Sequence, residues 1–148
     1  MRGYPIFSNN CTEAQKLLQK SIKKMLIFSF GGTGYCLIEL MWRGRTHWSM
    51  YLAGGLCFYL IERLNRTILS GKTIWSKCAA GAMVITTIEF MVGCIVNLWL
   101  GLEVWDYTRL PLNLFGQVSL VYTTLWYALS APLSVISKTV DKCFEIES

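Results

Sequence analysis

The chain has 148 residues, a formal net charge of +5, 53% hydrophobic residues and only 16% charged ones, a balance that excludes an ordinary soluble domain. Its apolar residues are clumped into long runs with the charges confined to short patches between them, whereas a soluble amphipathic helix shows a charge every turn. The positive charge needs no nucleic-acid partner, because membrane topology and anionic lipid head groups account for it.

In chain order, Asn10-Cys11-Thr12-Glu13 has the N-x-x-E form of a capping box, and Ala14, Leu17, Leu18 and Ser21 follow at helical spacing opposite Lys16, Lys20 and Lys23. Residues 1–24 therefore read as a cytoplasmic segment carrying a short amphipathic helix on the inner leaflet, with docking of a soluble partner as the alternative. A hydrocarbon core about 30 Å thick needs roughly 20 apolar helical residues to cross it. Four runs meet that length: Met25 to Trp42, Thr46 to Leu64, Lys77 to Leu100 and Leu110 to Ile136. Lys23 and Lys24 before the first run imitate a secretory signal, but Gly31, Gly32 and Gly34 lie inside the run and no A-x-A-like site ends it. Strands are not expected, since these runs are long and apolar on all sides. The fold class is all-α: an integral membrane four-helix bundle over residues 25–137 with a cytoplasmic tail at 138–148.

Orientation follows from the Lys and Arg bias. Arg2, Lys16, Lys20, Lys23, Lys24, Arg63, Arg66, Lys72, Lys77, Lys138 and Lys142 flank one side, and only Arg43, Arg45 and Arg109 flank the other. Both termini are expected in the cytoplasm (N-in/C-in), with the chain multi-pass in its membrane. The six cysteines, Cys11, Cys36, Cys57, Cys78, Cys94 and Cys143, are scattered singly without zinc-like spacing, so they read as small buried hydrophobes. No metal and no cofactor are expected.

A carboxylate inside a span costs at least about 2.5 kcal/mol on insertion scales and should face protein or water. Glu89 lies roughly 18 Å from the Lys77 end of its run, close to the midplane. Gly93, Asn97 and Gly101 follow it on the i, i+4 rows, a face unsuited to lipid. Gln117 and Asn113 on the fourth run reach the depth of Asn97, and Tyr35 and Glu39 sit one turn apart on the first. Glu89, Asn97, Gln117, Glu39 and Asn113 are thus candidates for a substrate or ion path. The competing reading is a set of interhelical hydrogen bonds around a neutral carboxyl. Glu62, beside Arg63, reads as an interfacial ion pair.

The outer loops form a second cluster: Trp42, Arg43, Arg45, His47 and Trp48 in one, Trp105, Asp106 and Tyr107 in the other. Aromatic belts account for the tryptophans. His47 with Glu39, Asp106 and Arg45 can instead form a titrating or cation-binding site. Gly54, Gly55, Gly93, Gly101 and Gly116 are candidate helix-packing positions, and the Gly54-Gly55 face or an Ala82-x-x-x-Thr86 surface can serve an oligomer. Gly71-Lys72 lacks the earlier glycine of a Walker A loop, so the chain is not expected to hydrolyse ATP, and no enzyme constellation stands out.

The blocks GYCLIELMWRGRTHWSMYLAGGLCF and IEFMVGCIVNLWLGLEVWDYTRLPLNLFGQVSL resemble the small bacterial membrane proteins known as putative ABC transporter permeases of type IV. The W-D-Y, P-x-N and G-Q elements carry most of the likeness. It implies motif roles for Glu39, Trp42, Arg43, Gly44, His47, Trp48, Gly54, Gly55, Glu89, Gly93, Asn97, Trp105, Asp106, Tyr107, Pro111, Asn113, Gly116 and Gln117. It also implies a transporter or channel subunit that works with membrane lipid around it, as a homo-oligomer or with a partner membrane subunit, and with a separate ATPase subunit. The chain departs from ordinary importers in lacking an E-A-A coupling loop. A non-transporting sensor, scaffold or ligand-binding component acting through the extracellular loops is the second function read from the sequence.

Overall fold

The computed structural model describes the backbone of residues 6–146 and the side chains of residues 13–139. It contains four long helices: α1 (Ile6–Arg43), α2 (Trp48–Arg66), α3 (Ile74–Gly93) and α4 (Leu120–Ile146). Three stretches, Glu13–Arg43, Ile74–Trp99 and Leu120–Thr139, are long and apolar enough to cross a membrane. The chain is a membrane protein. Helix α2 has 19 residues, but Glu62, Arg63 and Arg66 in its last turns lower its hydropathy.

Local sequence fixes the ends of these elements. Gly44 takes φ +69° after α1, and His47 then caps α2 by accepting the Ser49 N–H on Nδ1 at 3.4 Å. Thr73 caps α3 in the same way, accepting the Ser76 N–H on Oγ1 at 3.4 Å. Helix α3 does not stop at Gly93 but widens into a π-helical turn over Cys94–Trp99, with the Leu100 N–H bonded to the Ile95 carbonyl at 2.9 Å. Such turns are rare and concentrate near functional sites.

Two departures from the sequence reading concern helix limits. The amphipathic segment and the first apolar run form one unbroken helix, because nothing in residues 10–25 stops propagation; Asn10 lies within α1 and so does not cap it. Its side chain lies outside the described residues. The fourth run does not begin as a helix at Leu110. Residues 100–119 form a loop with a minimal hairpin, β1 (Asn113–Leu114) paired antiparallel with β2 (Val118–Ser119), and α4 starts only at Leu120. Strands, unexpected from the sequence, thus occur in this one short pair. Pro111, which cannot donate to a ladder or helix interior, and Gly116 at φ +68° explain the break.

Helix α1 packs on α2, α2 on α3, and α3 on α4. The α1 and α2 backbones touch where Gly31 meets Gly54: a Cβ on Gly54 would lie 2.8 Å from the Gly31 carbonyl and would strike Tyr35 Cβ. Phe28 lies over Gly55 and Tyr51 over Gly32. Between α3 and α4, Ala82 is buried and Thr86 bonds Thr123 at 3.1 Å between hydroxyls. Both small-residue faces read as oligomer contacts are therefore consumed inside the chain. The core that joins α2, α3 and α4 consists of Ala53, Cys57, Ile61, Ala82, Ile85, Ile88 and Trp126. Cys57 and Cys78 are buried free thiols, while Cys36 and Cys94 are half-buried; Cys11 and Cys143 lie outside the described side chains.

The hairpin does not sit above the helices. Because Thr86 meets Thr123 and Gly93 meets Gln117, the start of α4 is level with the middle of α3, and the hairpin descends beside Gly93–Asn97. Non-helical backbone at such depth requires partners from the protein itself.

Candidate functional site

Glu89 sits about one turn before the end of α3, where the helix runs on into the π-helical turn, with 2% exposure. Its Oε1 accepts the Tyr35 hydroxyl from α1, and its Oε2 accepts the Trp126 indole N–H from α4 at 2.8 Å. Tyr35 and Trp126 stack with ring centroids 5.5 Å apart. One carboxylate thus ties together three helices, and its two donors come from α1 and α4, which flank a groove.

That groove is apolar. Its lower part, 310 Å³, is lined by Phe30, Gly31, Gly34 and Ile38 of α1, by Leu129, Pro132, Leu133 and Ile136 of α4, and by Cys57 and Phe58 of α2 at the back. Tyr35 and Trp126 form its floor over Glu89 and continue into an upper part of 290 Å³ bounded by Trp42, Arg43, Tyr107, Tyr122 and Leu125. Exposed Phe30, Ile38 and Leu125 stand at its rim, so it opens sideways between α1 and α4.

At the upper end, Glu39 pairs with Arg43 at 3.3 Å and accepts the Thr46 hydroxyl at 3.0 Å. The Arg43 guanidinium donates to the Tyr107 hydroxyl and lies 5.4 Å from that ring's centroid, a cation–π arrangement. Tyr107 stacks on Tyr122 at 4.4 Å, and Trp42 Nε1 donates to the Tyr122 hydroxyl at 3.2 Å. Burial pushes the Tyr107 phenol above its ordinary value, the Glu89 carboxylate adding to the effect and Arg43 opposing it.

Asn97, Gln117 and Asn113 lie apart from Glu89 and form a different construction. Asn97 donates to the Trp105 carbonyl at 3.0 Å and to Gln117 Oε1 at 2.8 Å, and its own Oδ1 accepts the Val104 N–H at 2.7 Å. Trp105 Nε1 donates to the Gln117 carbonyl at 2.8 Å, and Gln117 Nε2 to the Phe115 carbonyl at 2.8 Å. Asn113 donates to the carbonyls of Thr108 and Leu110 and accepts the Gly116 N–H. These amides supply the partners that a descending, non-helical loop needs. The same loop carries Glu103, Leu112 and Phe115 at φ 47°, 51° and 52°, left-handed backbone that side chains with a Cβ resist.

The remaining sequence candidates scatter. His47 Nδ1 contacts the Ser49 hydroxyl at 2.8 Å and its ring lies against Trp48 at 5.2 Å. Arg45 joins His47, Glu39 and Arg43 around a separate small cavity beside the α1–α2 connection. No group of three His, Cys, Asp or Glu among the described residues is placed to hold a metal ion. Gly93 packs on Gln117 and Trp105 as a close contact, whereas Gly101 meets nothing and Gly116 meets Thr108 and Asp106; those two are turn positions and not helix-packing ones. Glu62 pairs with Lys23 at 3.9 Å and Arg66 at 3.7 Å, an ion pair as expected from its charged neighbourhood.

Asp106 is fully exposed, yet its carboxyl is held below the ordinary aspartate range because it accepts the Thr108 N–H at 2.8 Å and the Thr108 hydroxyl at 3.0 Å. A depressed folded-state value means that this turn's contribution is present above the ordinary aspartate pKa of about 3.9 and is lost as pH falls through the folded value. The Thr108 amide is therefore expected to lose exchange protection on acidification below that range. Asp106→Asn, which keeps the acceptor but does not titrate, is expected to remove this pH dependence.

The sequence reading found Tyr35 but missed Trp126 and Tyr122. The available signal was depth: a tryptophan far from either interface must find a partner for its N–H.

No solved structure matches the chain. The family model described as putative ABC-transporter type IV matches residues 25–146, from Met25 within α1 to the end of α4. That match takes in the groove, the Glu89 site and the whole descending loop, and the chain belongs to the putative ABC-transporter type IV family.

Proposed function

We propose that the chain is the membrane-embedded subunit of an ABC-type transporter in the bacterial plasma membrane, crossing it with four helices as a bundle and keeping both termini in the cytoplasm. Its cargo enters the groove between α1 and α4 from the bilayer and is recognised over Glu89. Family membership supports the transport role. The observation that carries the site is Glu89 itself: a buried carboxylate whose hydrogen-bond donors among the described residues, Tyr35 and Trp126, are the floor of an apolar groove.

An apolar slot with two stacked aromatic rings above a carboxylate suits a cargo with an apolar body and one cationic group, held by cation–π and charge attraction together. Asn97, Gln117 and Asn113 then act as supports for the loop and not as the path. The chain is not an enzyme on this reading, and ATP hydrolysis belongs to a separate subunit; pairing with a second membrane subunit or a second copy completes the transporter.

The test is downhill uptake of ethidium, an aromatic cation, into liposomes holding the full chain. Glu89→Gln keeps an acceptor for the Trp126 N–H and places its amide NH2 against the Tyr35 hydroxyl, which can accept from it, but removes the charge, and uptake is expected to fall about tenfold, the equivalent of about 1.4 kcal/mol. Equal uptake by wild type and variant at every pH would remove Glu89 from the account. A second reading, ligand capture at the outer loops without transport, is favoured by the exposure of Leu112 and Phe115 at the loop tip. It predicts no wild-type uptake above empty liposomes.

A further inference from the structure

The opposite end of the molecule carries a second cavity, of 400 Å³, where the end of α2, the turn before α3 and α4 come together. Asn65, Arg66, Ser70, Gly71, Lys72, Lys77, Ser137 and Lys138 line it. Four of these side chains are cationic, and no carboxylate of a described residue lines it. A basic helix end by itself reports only topology. Lys77 is different because it is 6% exposed: instead of extending to solvent as a surface lysine does, its side chain is enclosed against the cavity, and it forms no ion pair with a carboxylate among the described residues.

A second buried group points to the same space. Asn65, 7% exposed, donates through Nδ2 to the Ser134 hydroxyl at 3.3 Å, while its buried Oδ1 has no hydrogen-bond partner. Buried acceptors are nearly always satisfied in native proteins, so an orphan beside a cavity asks for a donor from a ligand. An ammonium without a counterion asks for an anion. Arg66 is partly engaged by Glu62 at 3.7 Å, which leaves Lys72, Lys77 and Lys138 as the main sources of positive charge.

We propose that this cavity binds a phosphate group bearing an adjacent hydroxyl, the phosphate on Lys77 with Lys72 and Lys138, and the hydroxyl donating to Asn65 Oδ1. Two sources share this chemistry: a glycerophosphate lipid head group entering from the bilayer edge, and a free phosphomonoester from the aqueous side. The site is separate from Glu89 and does not depend on the transport reading.

The experiment uses the full chain in lipid nanodiscs, with the thermal unfolding midpoint as readout. One arm titrates glycerol 3-phosphate into phosphatidylcholine discs against sodium chloride of equal ionic strength. The other replaces part of the phosphatidylcholine with phosphatidylglycerol. Wild type is expected to be stabilised in at least one arm: a shift with glycerol 3-phosphate assigns the free phosphomonoester, and a shift with phosphatidylglycerol alone assigns the lipid head group. Lys77→Met, which keeps the stem and removes the charge, is expected to weaken the response about tenfold. If that variant does not fold, the Lys72→Gln, Lys138→Gln double variant, altered only at exposed positions, is expected to weaken it in the same direction. No stabilisation of wild type in either arm, or an undiminished response in the variants, overturns the proposal.

Discussion

Replacing Asn97 with alanine is expected to release the whole loop from Leu100 to Ser119 and to lower stability by about 3 kcal/mol, three hydrogen bonds at about 1 kcal/mol each. The loss is not compensated locally. The Val104 N–H, the Trp105 carbonyl and Gln117 Oε1 all turn to this one side chain, and they sit beside the π-helical turn with Trp105 and Gln117 buried, away from ready replacement by water. Asn97→Asp is expected to be no better: it keeps the acceptor for Val104 but presents a second oxygen where two acceptors need a donor. Amide exchange at Val104 together with the unfolding midpoint in detergent checks both variants. Loss of protection confined to the loop, with α1 and α2 unaffected, is the expected pattern.

The second large effect is at the contact between α1 and α2. Gly54→Leu is expected to cost about 3 kcal/mol or more, the upper range for overpacking, because its new side chain would meet the Gly31 carbonyl and Tyr35 Cβ, neither of which can move without moving a helix. Tyr35 carries a hydrogen bond to Glu89, so the damage is expected to reach the groove as well. Gly34→Ala, on the facing helix α1, is the control: nothing lies within 4 Å of its added Cβ, and a helical alanine is favoured over glycine by up to about 1 kcal/mol. Thermal unfolding of the two variants side by side is expected to move the midpoint in opposite directions.

The helices were legible where a single physical signal governs them. The third run reads as a continuous apolar stretch and becomes α3 with its π-helical extension, because nothing in Ile74–Trp99 competes with helical hydrogen bonding. The fourth run misleads, since Leu110, Leu112, Leu114, Phe115 and Val118 look apolar enough to begin a span. Hydropathy reports the solvent around a segment and not its backbone, and a loop that descends beside α3 needs apolar residues as much as a helix does. Pro111 and Gly116 mark the turn, but hydropathy does not report the left-handed backbone at Leu112 and Phe115, which lies in a loop cross-bonded by the Asn113 and Gln117 side chains. The same reason hid the continuity of α1, where a change from amphipathic to apolar pattern suggested two elements although the backbone does not break.

At the site, the cost of burying a carboxylate pointed to Glu89 directly, and Tyr35 stood one turn from Glu39. The stripe of Gly93, Asn97 and Gly101 was legible as a face unfit for lipid. Its three members nonetheless serve different ends: Gly93 admits Gln117 and Trp105 at close range, Asn97 satisfies the loop, and Gly101 turns the chain. Spacing on one helix identifies a protein-facing surface but does not say which element arrives there. Trp126, the third member of the Glu89 cluster, was lost among apolar neighbours because tryptophan was weighed as an interface residue.

The central claim is that Glu89 can be reached from the groove between α1 and α4. The direct measurement is labelling of the full chain in lipid bilayers with a hydrophobic carbodiimide, followed by peptide mapping. Modification at Glu89 that competes with ethidium and disappears in Glu89→Gln is the predicted result. An unmodified Glu89 in bilayers where the same reagent labels other carboxyls of the chain would contradict the account.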